Sequence, residues 1–487
     1  MSKAFDKVWH KGLLFKLKCY GVEGNFLDIL ENYLSNRKQR VILNGQSSCW
    51  LGVNAGVPQG SVLGPLLFLI YINDLPDNLV SRSKLFADDT SIFSKVVDVD
   101  RSCVELNQDL ATIERWAHQW KMAFNPDPNK QATEVIFSHK VNPVNHPPLL
   151  FNRSPVASSP MQKHLGLVLD SKLTFDYHLS LKISKANKGI CVIKRLSKYL
   201  PRKTLLCIYK SYIRPHLDYA DIIYDRPHND KFCQKIETVQ YNAALSITGA
   251  IRGTSRDRLY QELGLESLLQ RRWFHRMVHF FKIVRGYCPD YLAALLPPKQ
   301  FSRNDHRKTL YRTFRTSTEY FNNSFFPFCV NEWNTKLGEE IKNARSITKF
   351  KQFLLEFIRP RMNSIYNIHD PEGLKFLTRL RLNFSHLREH KFRHNFRDTI
   401  NPLCSCGFEI ESTSHYLLRC SLYTSDRRIL YDKLRDTLGQ IPNLPDDELV
   451  NLLLFGNDCY SAEQNCSVLR CTIAFLKSSE RFDIPLF

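Results

Sequence analysis

The spacing of apolar residues divides the chain into a mixed first part and a helical remainder. In residues 25–34 apolar side chains recur every three or four positions, which predicts a helix, and residues 104–122 repeat this pattern. Residues 39–43 and 134–137 are short apolar runs that predict strands. Residues 84–94 alternate around two aspartates as a hairpin does. Strands and helices therefore share the first part of the chain.

One apolar run, residues 62–72, predicts a buried helix. It is too short to span a bilayer, and Pro65 interrupts it. Residues 142–160 are rich in proline, asparagine and serine and predict a loop, and residues 165–169 predict another strand. These features complete a first part of mixed α and β character.

Beyond this point the pattern becomes helical. Residues 179–296 have helical spacing and are strongly basic. Residues 298–325 are polar and basic, which predicts a linker or a poorly packed segment, and residues 326–400 are helical again. We therefore predict an α+β fold.

Composition narrows the classes of partner. The chain has 487 residues, 43% of them hydrophobic, which predicts two to four folded units with real cores. The formal net charge of +20 indicates a polyanion such as nucleic acid, with a membrane surface or a merely solvated exterior as the alternatives. The opening residues have no apolar leader, so we expect an intracellular protein of the nucleus or the cytoplasm, without a membrane partner.

The strongest chemical signal is a pair of adjacent carboxylates. Asp88 and Asp89 lie between two short apolar stretches, so we expect them at the tip of a hairpin. Two neighbouring negative charges are costly unless a cation neutralises them, and Mg²⁺ prefers carboxylates together with substrate phosphates. Phosphoryl transfer by two metal ions needs such a clamp. An ordinary solvated turn also accommodates two aspartates, so the pair alone leaves both interpretations open.

A segment rich in glycine and proline precedes this pair. Residues 56–65 read GVPQGSVLGP. Gly60 allows a ligand to approach the backbone closely, and Gln59 offers both a donor and an acceptor beside it. The alternative is a plain loop that leads into the helix predicted for residues 62–72.

Three motifs in this order resemble the reverse transcriptases of non-LTR retrotransposons, the jockey-type group in particular. They are GVPQGSVLGPLLF at residues 56–68, YINDLP at residues 71–76 and FADD at residues 86–89. The opening SKAFDKVWH resembles the first palm motif of that family. Further similarity is found in the palm motif that carries a lysine (residues 120–137, with Asn125, Pro126 and Lys130), in the strand before the thumb (residues 164–170) and in residues 209–229.

The resemblance implies a right-hand polymerase that adds deoxynucleoside triphosphates to a DNA primer on an RNA template. Asp88 and Asp89 would be the catalytic residues that hold Mg²⁺, Phe5 would lie under the sugar of the incoming nucleotide, and Gln59 and Gly60 would lie near nucleotide and template. The implied divisions are a partial palm (1–155), the thumb and a helical connection (156–297), a basic helical linker region (298–400), and a zinc knuckle with a carboxyl-terminal tail (401–487).

In this family the first palm motif begins with a metal-binding aspartate, which would lie immediately before Met1. Asp6 is not expected to replace it, because Asp6 lies six residues further on, roughly 9 Å away in a helix. We expect Asp6 instead to pair with Lys7 or to cap a helix that starts at Val8. The prediction is therefore an amino-terminally truncated chain with impaired polymerase activity. A non-enzymatic RNA- or DNA-binding remnant, or a piece of a longer reading frame, is the alternative.

Basic residues recur where the resemblance places the thumb. A helical stretch carries them beside an apolar side, and a solvated charged face is the plain alternative. In a thumb they would contact the nucleic-acid backbone without reading its sequence. The predicted nucleic-acid-binding residues are Lys182, Lys185, Lys188, Lys194, Arg195 and, from a second stretch that mixes cations with Phe384, Phe392 and Phe396, Arg393.

The cysteines fall into two groups. Most of the 14 are scattered singly, as reduced thiols are. Cys404, Cys406, His415 and Cys420 follow a C-x-C-x8-H-x4-C pattern, which suits a closed tetrahedral Zn²⁺ site, and Gly407 permits a tight return between ligands. Coincidence among many cysteines is the alternative. The pattern also resembles the carboxyl-terminal zinc knuckle of the family, so we expect Zn²⁺ in a structural role.

Overall fold

The protein folds as two compact units, Met1–Phe175 and Asp176–Phe487, in a computed structural model that describes residues 3–125, 132–140, 144–302, 305–358 and 368–482. Helices and strands mix in the first unit, and helices dominate the second. The predicted α+β character is therefore confirmed. Lys130, singled out in the later palm motif, lies outside the described residues.

The first unit contains four helices among its described residues. They are α1 (His10–Cys19), α2 (Gly24–Leu34), α3 (Leu63–Ile72) and α4 (Val99–Gln119). Its strands are β1 (Arg37–Gln39), β2 (Ile42–Leu43), β3 (Gln46–Ser47), β4 (Leu51–Val53), β5 (Arg82–Phe86), β6 (Asp89–Phe93), β7 (Thr133–Glu134), β8 (Leu150–Phe151), β9 (Ser154–Pro155), β10 (Ala157–Ser158), β11 (Met161–His164) and β12 (Leu167–Asp170).

These strands pair only in twos among the described residues. The pairs are β1–β4, β2–β3, β5–β6, β7–β10, β8–β9 and β11–β12, and all except the parallel β7–β10 are antiparallel. The loop predicted for residues 142–160 is therefore wrong in part, because β8, β9 and β10 lie there. Asn152 lies in the turn between β8 and β9, and Pro155 lies within β9 itself.

The core of the first unit is aromatic and encloses a cation. Lys16, only 4% exposed, donates to the Tyr71 carbonyl at 2.6 Å and to Asp74 at 2.5 Å. Its ammonium also lies 3.7 Å from the ring centroid of Trp120 and 4.9 Å from that of Trp116. Burial lowers the pKa of Lys16, and the Asp74 carboxylate opposes that shift. A buried charge is tolerated here because a carboxylate, a carbonyl and aromatic faces all surround it.

Helix α3 is buried on one face only. Leu67, Phe68 and Tyr71 lie in the core, whereas Leu66 and Leu69 are exposed. The predicted helix is therefore confirmed, and its predicted burial holds for one face. A continuous apolar run carries no period, so it cannot show which face meets the core.

The second unit is mostly helical. Its described helices are α5 (Asp176–Leu196), α6 (Arg202–Ile208), α7 (Pro215–Asp218), α8 (Asp221–Tyr224), α9 (Asp230–Thr248), α10 (Arg256–Leu263), α11 (Leu268–Val284), α12 (Asp290–Ala293), α13 (Glu319–Asn323), α14 (Phe325–Lys336), α15 (Glu339–Lys342), α16 (Ile347–Ile358), α17 (Pro371–Arg381), α18 (Arg388–Arg393), α19 (Thr424–Leu438), α20 (Asp446–Phe455) and α21 (Ala462–Ser478). Two π-helical turns, Tyr209–Ile213 and His415–Arg419, lie among them.

The segment predicted to be a linker contains a hairpin instead. Strands β13 (Lys299–Ser302) and β14 (Asp305–Tyr311) pair antiparallel. Tyr311 at the end of β14 is buried against a core that includes Phe280 and Trp333. Polar composition hid this hairpin, because a single buried aromatic residue gives no periodic signal.

Several helix boundaries follow directly from local chemistry. Asp98 accepts the Arg101 amide at the start of α4, and Asn229 accepts the Phe232 amide at the start of α9. Helix α9 ends at Gly249, whose φ of 67° is the left-handed conformation that favours glycine. These residues determine where the helices begin and end through local hydrogen bonds and backbone conformation, largely without tertiary contacts.

Candidate functional site

Asp88 and Asp89 lie at the tip of the β5–β6 hairpin, as predicted. Phe86 is paired with Asp89, so Ala87 and Asp88 form a two-residue turn. Ala87 takes a φ of 50°, a strained value for a residue with a side chain. Asp89 is exposed and Asp88 is half-buried. The turn therefore presents two carboxylates from adjacent positions.

A buried carboxylate anchors the start of this hairpin. Asp109 of α4 is 0% exposed and accepts the backbone amides of Val80 at 2.7 Å and Ser81 at 2.9 Å. These two residues lead directly into β5. The sequence pattern did not single out Asp109. Its position beside the apolar residues Leu106 and Leu110 of a helix nevertheless indicates a buried carboxylate that needs hydrogen-bond donors.

The glycine-rich segment (residues 56–65) is hydrogen-bonded to the opening segment of the chain (residues 5–10). The Gly56 amide donates to the Val8 carbonyl and the Val57 amide donates to the Phe5 carbonyl, both at 2.8 Å. His10 Nε2 lies 2.7 Å from the Gly56 carbonyl. Gly56 has a φ of 90°, and a Cβ there would lie 2.8 Å from the Asp6 backbone, so only glycine fits. We call this contact the motif seam.

The described part of the opening motif forms a short turn before the first helix. Residues 4–6 form a 3-10 turn, and α1 does not begin until His10. Asp6 neither caps a helix nor pairs with Lys7. Its carboxylate accepts a hydrogen bond from Gln59 Nε2 at 2.8 Å. Local pairing was therefore the wrong expectation for Asp6, because the glycine turn brings a distant amide closer than any neighbour in sequence.

The predicted nucleotide-contacting residues gather around the motif seam. The Phe5 ring stacks on Phe68 of α3 with centroids 4.3 Å apart. Gln59 and Gly60 are exposed, and a Cβ at Gly60 would meet no atom within 4 Å. Gly64 is confined, since a Cβ there would lie 2.3 Å from the Pro58 carbonyl oxygen. The loop is thus closely packed at Gly64 and open to solvent at Gly60.

The two aspartates at the hairpin tip remain uncompensated within the described parts of the chain. Neither Asp88 nor Asp89 forms a hydrogen bond or an ion pair with another described side chain. Ala87, between β5 and the aspartates, packs against the same core that contacts Phe5. The hairpin tip therefore packs against the core through Ala87 and presents two negative charges beside it, which suits binding of a cation.

Helix α5 carries the predicted thumb cations, and it leaves most of them unpaired. Across the described residues, no carboxylate lies within ion-pair distance of Lys185, Lys188, Lys194 or Arg195. Lys182 lies 5.0 Å from the ring centroid of Tyr219. The opposite side of the helix is apolar and buried, as the spacing predicted. A positive face without internal counterions is available to a polyanion.

The second basic stretch behaves differently. Arg393 forms an ion pair with Glu389, and Lys391 pairs with Asp398. Phe384 is buried against Phe396, whose ring centroid lies 5.9 Å away, whereas Phe392 is exposed. Arg393 therefore has an internal partner that the sequence did not reveal, although Glu389 precedes it by one helical turn.

The Cys404–Cys420 group converges as its pattern predicted. The ligand atoms of Cys404, Cys406, His415 and Cys420 all lie within 4.8 Å of one another. Cys404 Sγ is 3.6 Å from Cys420 Sγ, and Cys406 Sγ is 3.3 Å from His415 Nε2. Gly407, with a φ of 84°, donates its amide to the Cys404 carbonyl at 3.0 Å. This is a donor set that could bind zinc.

Two charged side chains support this cluster. Glu409 lies 3.2 Å from His415 Nδ1, which leaves Nε2 to face the sulfurs. The Arg427 guanidinium of α19 donates to the carbonyls of Tyr416, Leu417 and Cys420. Burial raises the pKa of the Cys404 thiol to about 12, and a backbone hydrogen bond from Phe408 lowers that of Cys406 to about 7.

A third group of ionisable side chains is structural. Asp218, Asp221 and His275 bring their ligand atoms together. Arg271 already donates to Asp218 at 2.9 Å, and His275 Nδ1 lies 2.6 Å from Asp221. Arg271 and His275 of α11 each already contact one of these carboxylates, so we assign the group to a polar network that joins α7, α8 and α11.

The first unit is similar to a known protein family over most of its length. Residues 1–150 match the family described as Reverse transcriptase (RNA-dependent DNA polymerase). These residues contain the motif seam and the aspartate hairpin, so the similarity to that family covers both candidate site elements of the first unit.

The individual relatives are enzymes of mobile elements in fruit flies. The chain is 29% identical over 303 residues to the RNA-directed DNA polymerase from mobile element jockey of Drosophila melanogaster, covering 57% of this chain and 32% of that protein. It is 30% identical over 268 residues to the jockey polymerase of Drosophila funebris (51% and 28%). It is 29% identical over 328 residues to the "Probable RNA-directed DNA polymerase from transposon X-element" of Drosophila melanogaster (64% and 35%).

The resemblance to the jockey-type non-LTR retrotransposon group is therefore confirmed. The chain spans about a third of the length of these relatives. In the described portions of the chain, no helix has the length and apolar character needed to cross a membrane.

Proposed function

We propose that this chain carries the polymerase centre of a retrotransposon RNA-directed DNA polymerase, with Asp88 and Asp89 as Mg²⁺ ligands. One observation supports this above all. Two adjacent carboxylates occupy the tip of a braced hairpin inside the 150 residues that match the reverse transcriptase family. The substrates would be an RNA template, a DNA primer and deoxynucleoside triphosphates.

The donor set fits Mg²⁺, which takes oxygen ligands and keeps places for water and substrate phosphates. Asp89 is exposed, so a triphosphate can reach it. Bound metal would supply charge neutralisation for the attacking and leaving oxygens in a two-metal transfer. The protein contributes the position of both carboxylates, which Asp109 secures by holding the entry into β5.

The motif seam is the proposed nucleotide platform. Phe5 is stacked on Phe68, so its ring is held in one place under a sugar. Gln59 is held by Asp6 next to Gly60, where the backbone is open to a ligand. The seam therefore places an aromatic ring, an amide and an unobstructed backbone together, which suits positioning of a nucleotide and template.

We propose that the complete metal site uses a third aspartate, which the family motif places immediately before position 1. Asp88 and Asp89 supply two of the three carboxylates that such a site would use. The Gln59–Asp6 contact supports this, because it occupies Asp6 with an amide and leaves it unsuited as a substitute ligand.

Primer extension on an RNA template with Mg²⁺ tests both parts. A version that adds a Leu-Asp pair upstream of Met1 is expected to extend the primer, and its Asp88→Asn/Asp89→Asn form to lose at least about a thousandfold, the scale of a lost catalytic group. Asp28→Asn, an exposed aspartate of α2, is the matched control. Equal activity of the chain with and without the added pair would contradict the third-aspartate proposal.

A second candidate is binding of RNA or DNA without chemistry. The unpaired cations of α5 favour it, because they serve binding whether or not the palm is active. If neither version extends a primer while both bind RNA in a salt-dependent manner, the binding function replaces the polymerase proposal for this chain.

We also propose that Cys404, Cys406, His415 and Cys420 hold one structural Zn²⁺. Three sulfurs and an imidazole nitrogen in mutual reach leave no open coordination position for a substrate. Metal analysis of the purified chain should give one zinc per chain, and none after Cys420→Ser.

A further inference from the structure

The segment between α6 and α8 carries the polar residues His216 and Tyr219 on its surface. Here the π-helical residues Tyr209–Ile213 lead into α7, and the whole segment lies along α5. Gly189 of α5 marks the closest approach, since a Cβ there would lie 2.7 Å from Ile213 Cγ1. π-helical turns are uncommon and frequently occur at functional sites.

Lys185 and Lys182 precede Gly189 on α5 by about one and two helical turns, and Lys182 contacts Tyr219 of the facing segment. The Lys182 ammonium lies 5.0 Å from the Tyr219 ring centroid. Lys182 and Lys185 both lie close enough to His216 to repel its positive charge. Tyr219 and Lys185 are exposed, and His216 and Lys182 are half-buried. Two amines, an imidazole and a phenol ring thus share one patch of surface.

We propose that Lys182, Lys185, His216 and Tyr219 form one contact site for a phosphate of a nucleic-acid backbone and the nucleoside beside it. His216 takes part as the protonated imidazolium. The inference rests on the proposed nucleic-acid partner and names the residues that hold it.

The charge around His216 supports this assignment. Burial lowers the pKa of His216, and Lys182 and Lys185 lower it further, so the charged form of this imidazole is disfavoured in the free protein. A phosphate placed among the three groups would reverse the repulsion and raise the pKa. Binding would then take up a proton, and affinity would rise as pH falls.

The other ionisable groups near His216 have partners of their own. On its own segment, Arg214 and Asp218 face Glu266 and Arg271. Asp221 of α8 binds His275 of α11.

On α5, His178 has a pKa lowered to about 4 by burial and by Lys182, so it stays neutral in the range considered. The two lysines lie beside His216 and would attract an incoming phosphate.

The ring of Tyr219 adds an apolar surface beside the cations. Exposed aromatic rings next to basic side chains accept sugars and bases by stacking, and phosphates pair with the cations. Such contacts position a strand without reading its sequence.

Equilibrium binding by fluorescence anisotropy tests the site. The probes are a labelled single-stranded RNA and an RNA–DNA duplex, measured at pH 6 and pH 8 at fixed salt and over a salt series. The variants are Lys182→Gln/Lys185→Gln, His216→Gln and Tyr219→Ala. The matched controls are Lys351→Gln, His369→Gln and Tyr287→Ala, which change exposed residues elsewhere in the second unit.

We expect wild-type affinity for at least one probe to rise about threefold to tenfold from pH 8 to pH 6, the scale of a pKa change of up to one unit. His216→Gln should remove that increase, and His369→Gln should keep it. The lysine pair should lower the slope of log K against log salt by about 2. Tyr219→Ala should weaken binding about fivefold or more, the lower end of base stacking on an aromatic ring.

Unchanged pH dependence in His216→Gln would overturn the site while leaving nucleic-acid binding intact. Loss of binding to both probes in the wild type, at either pH, would overturn the nucleic-acid partner itself. NMR of the wild-type histidines gives a check without substitution, since the pKa of His216 should rise when RNA is added and should stay unchanged if the site is elsewhere.

Discussion

The two candidate metal sites differ in how much of the arrangement the protein completes by itself. The zinc cluster brings four ligand atoms within 4.8 Å of one another and buries Cys404 and Cys420. The aspartate hairpin presents two carboxylates toward solvent with no described cation beside them. A site that serves the fold is closed within the chain, whereas a site that serves chemistry keeps places for substrate and metal.

The largest expected effect separates these sites by stability. Cys420→Ser, or removal of zinc by a chelator, should unfold the region around Tyr416 and Leu417, because structural zinc contributes about 10–16 kcal/mol in small zinc-binding peptides. Thermal unfolding and zinc content would be measured together. Cys459→Ser, an exposed cysteine, should change neither quantity. Full stability of the zinc-free chain would end the distinction between the two sites.

Support of the zinc cluster by Arg427 should come next in size. Arg427→Met removes donors from three carbonyls at the end of the second π-helical turn and should cost about 2–3 kcal/mol. The measurement is urea unfolding of the zinc-loaded chain, with Arg428→Met as the exposed control. A loss equal to that of the control would show that the turn is held by its metal alone.

The aspartate hairpin should lose order when its anchor is altered. Asp109→Asn keeps one acceptor for the Val80 and Ser81 amides and should cost about 1–2 kcal/mol. Hydrogen exchange should become faster at both amides and along β5. Protection that matches the Asp28→Asn control would mean that the hairpin is positioned by β6 and the core without α4.

A smaller effect is expected at the second sphere of the zinc cluster. Glu409→Gln weakens the partner of His415 Nδ1 and should lower zinc affinity about tenfold. Competition with a chromogenic chelator measures this, and Glu463→Gln serves as the exposed control. Unaltered affinity would show that the imidazole is oriented by its backbone alone.

The smallest effect should be at the hairpin tip itself. Asp88→Asn/Asp89→Asn should leave the free energy of unfolding within about 0.5 kcal/mol of wild type, because a half-buried and an exposed carboxylate without a described partner contribute little to folding. Urea unfolding without Mg²⁺ is the measurement. A large stabilisation would show that repulsion at the tip is stored in the fold, and a large loss would show an unrecognised structural role.

Features with local causes were predictable from sequence. The hairpin around Asp88 and Asp89 follows from alternation on both sides, and the convergence of the cysteines and His415 follows from ligand spacing and Gly407. Helix α5 and its basic face follow from an unbroken 3.6-residue period. Each of these depends on residues that are close in sequence.

Features that depend on distant partners were not predictable. The bond from Gln59 to Asp6 spans 53 positions, and the ion pair of Lys16 with Asp74 spans 58. Pairing of β8, β9 and β10 in a proline-rich stretch depended on two-residue strands that no periodic test detects. A sequence shows which side chains can bond, and only the folded chain shows which ones meet.

The π-helical turn His415–Arg419 has a consequence for how this chain can diverge. The Cys420 amide donates to the His415 carbonyl at 2.7 Å, which is the five-residue hydrogen bond of a π-helix. The four residues between the two ligands therefore make up this single turn. Removing one residue would rotate Cys420 by about 100° around the helix axis and turn its sulfur away from the other ligands. Substitutions at the exposed Arg419 keep this spacing and can accumulate over generations, while insertions and deletions between His415 and Cys420 should be eliminated.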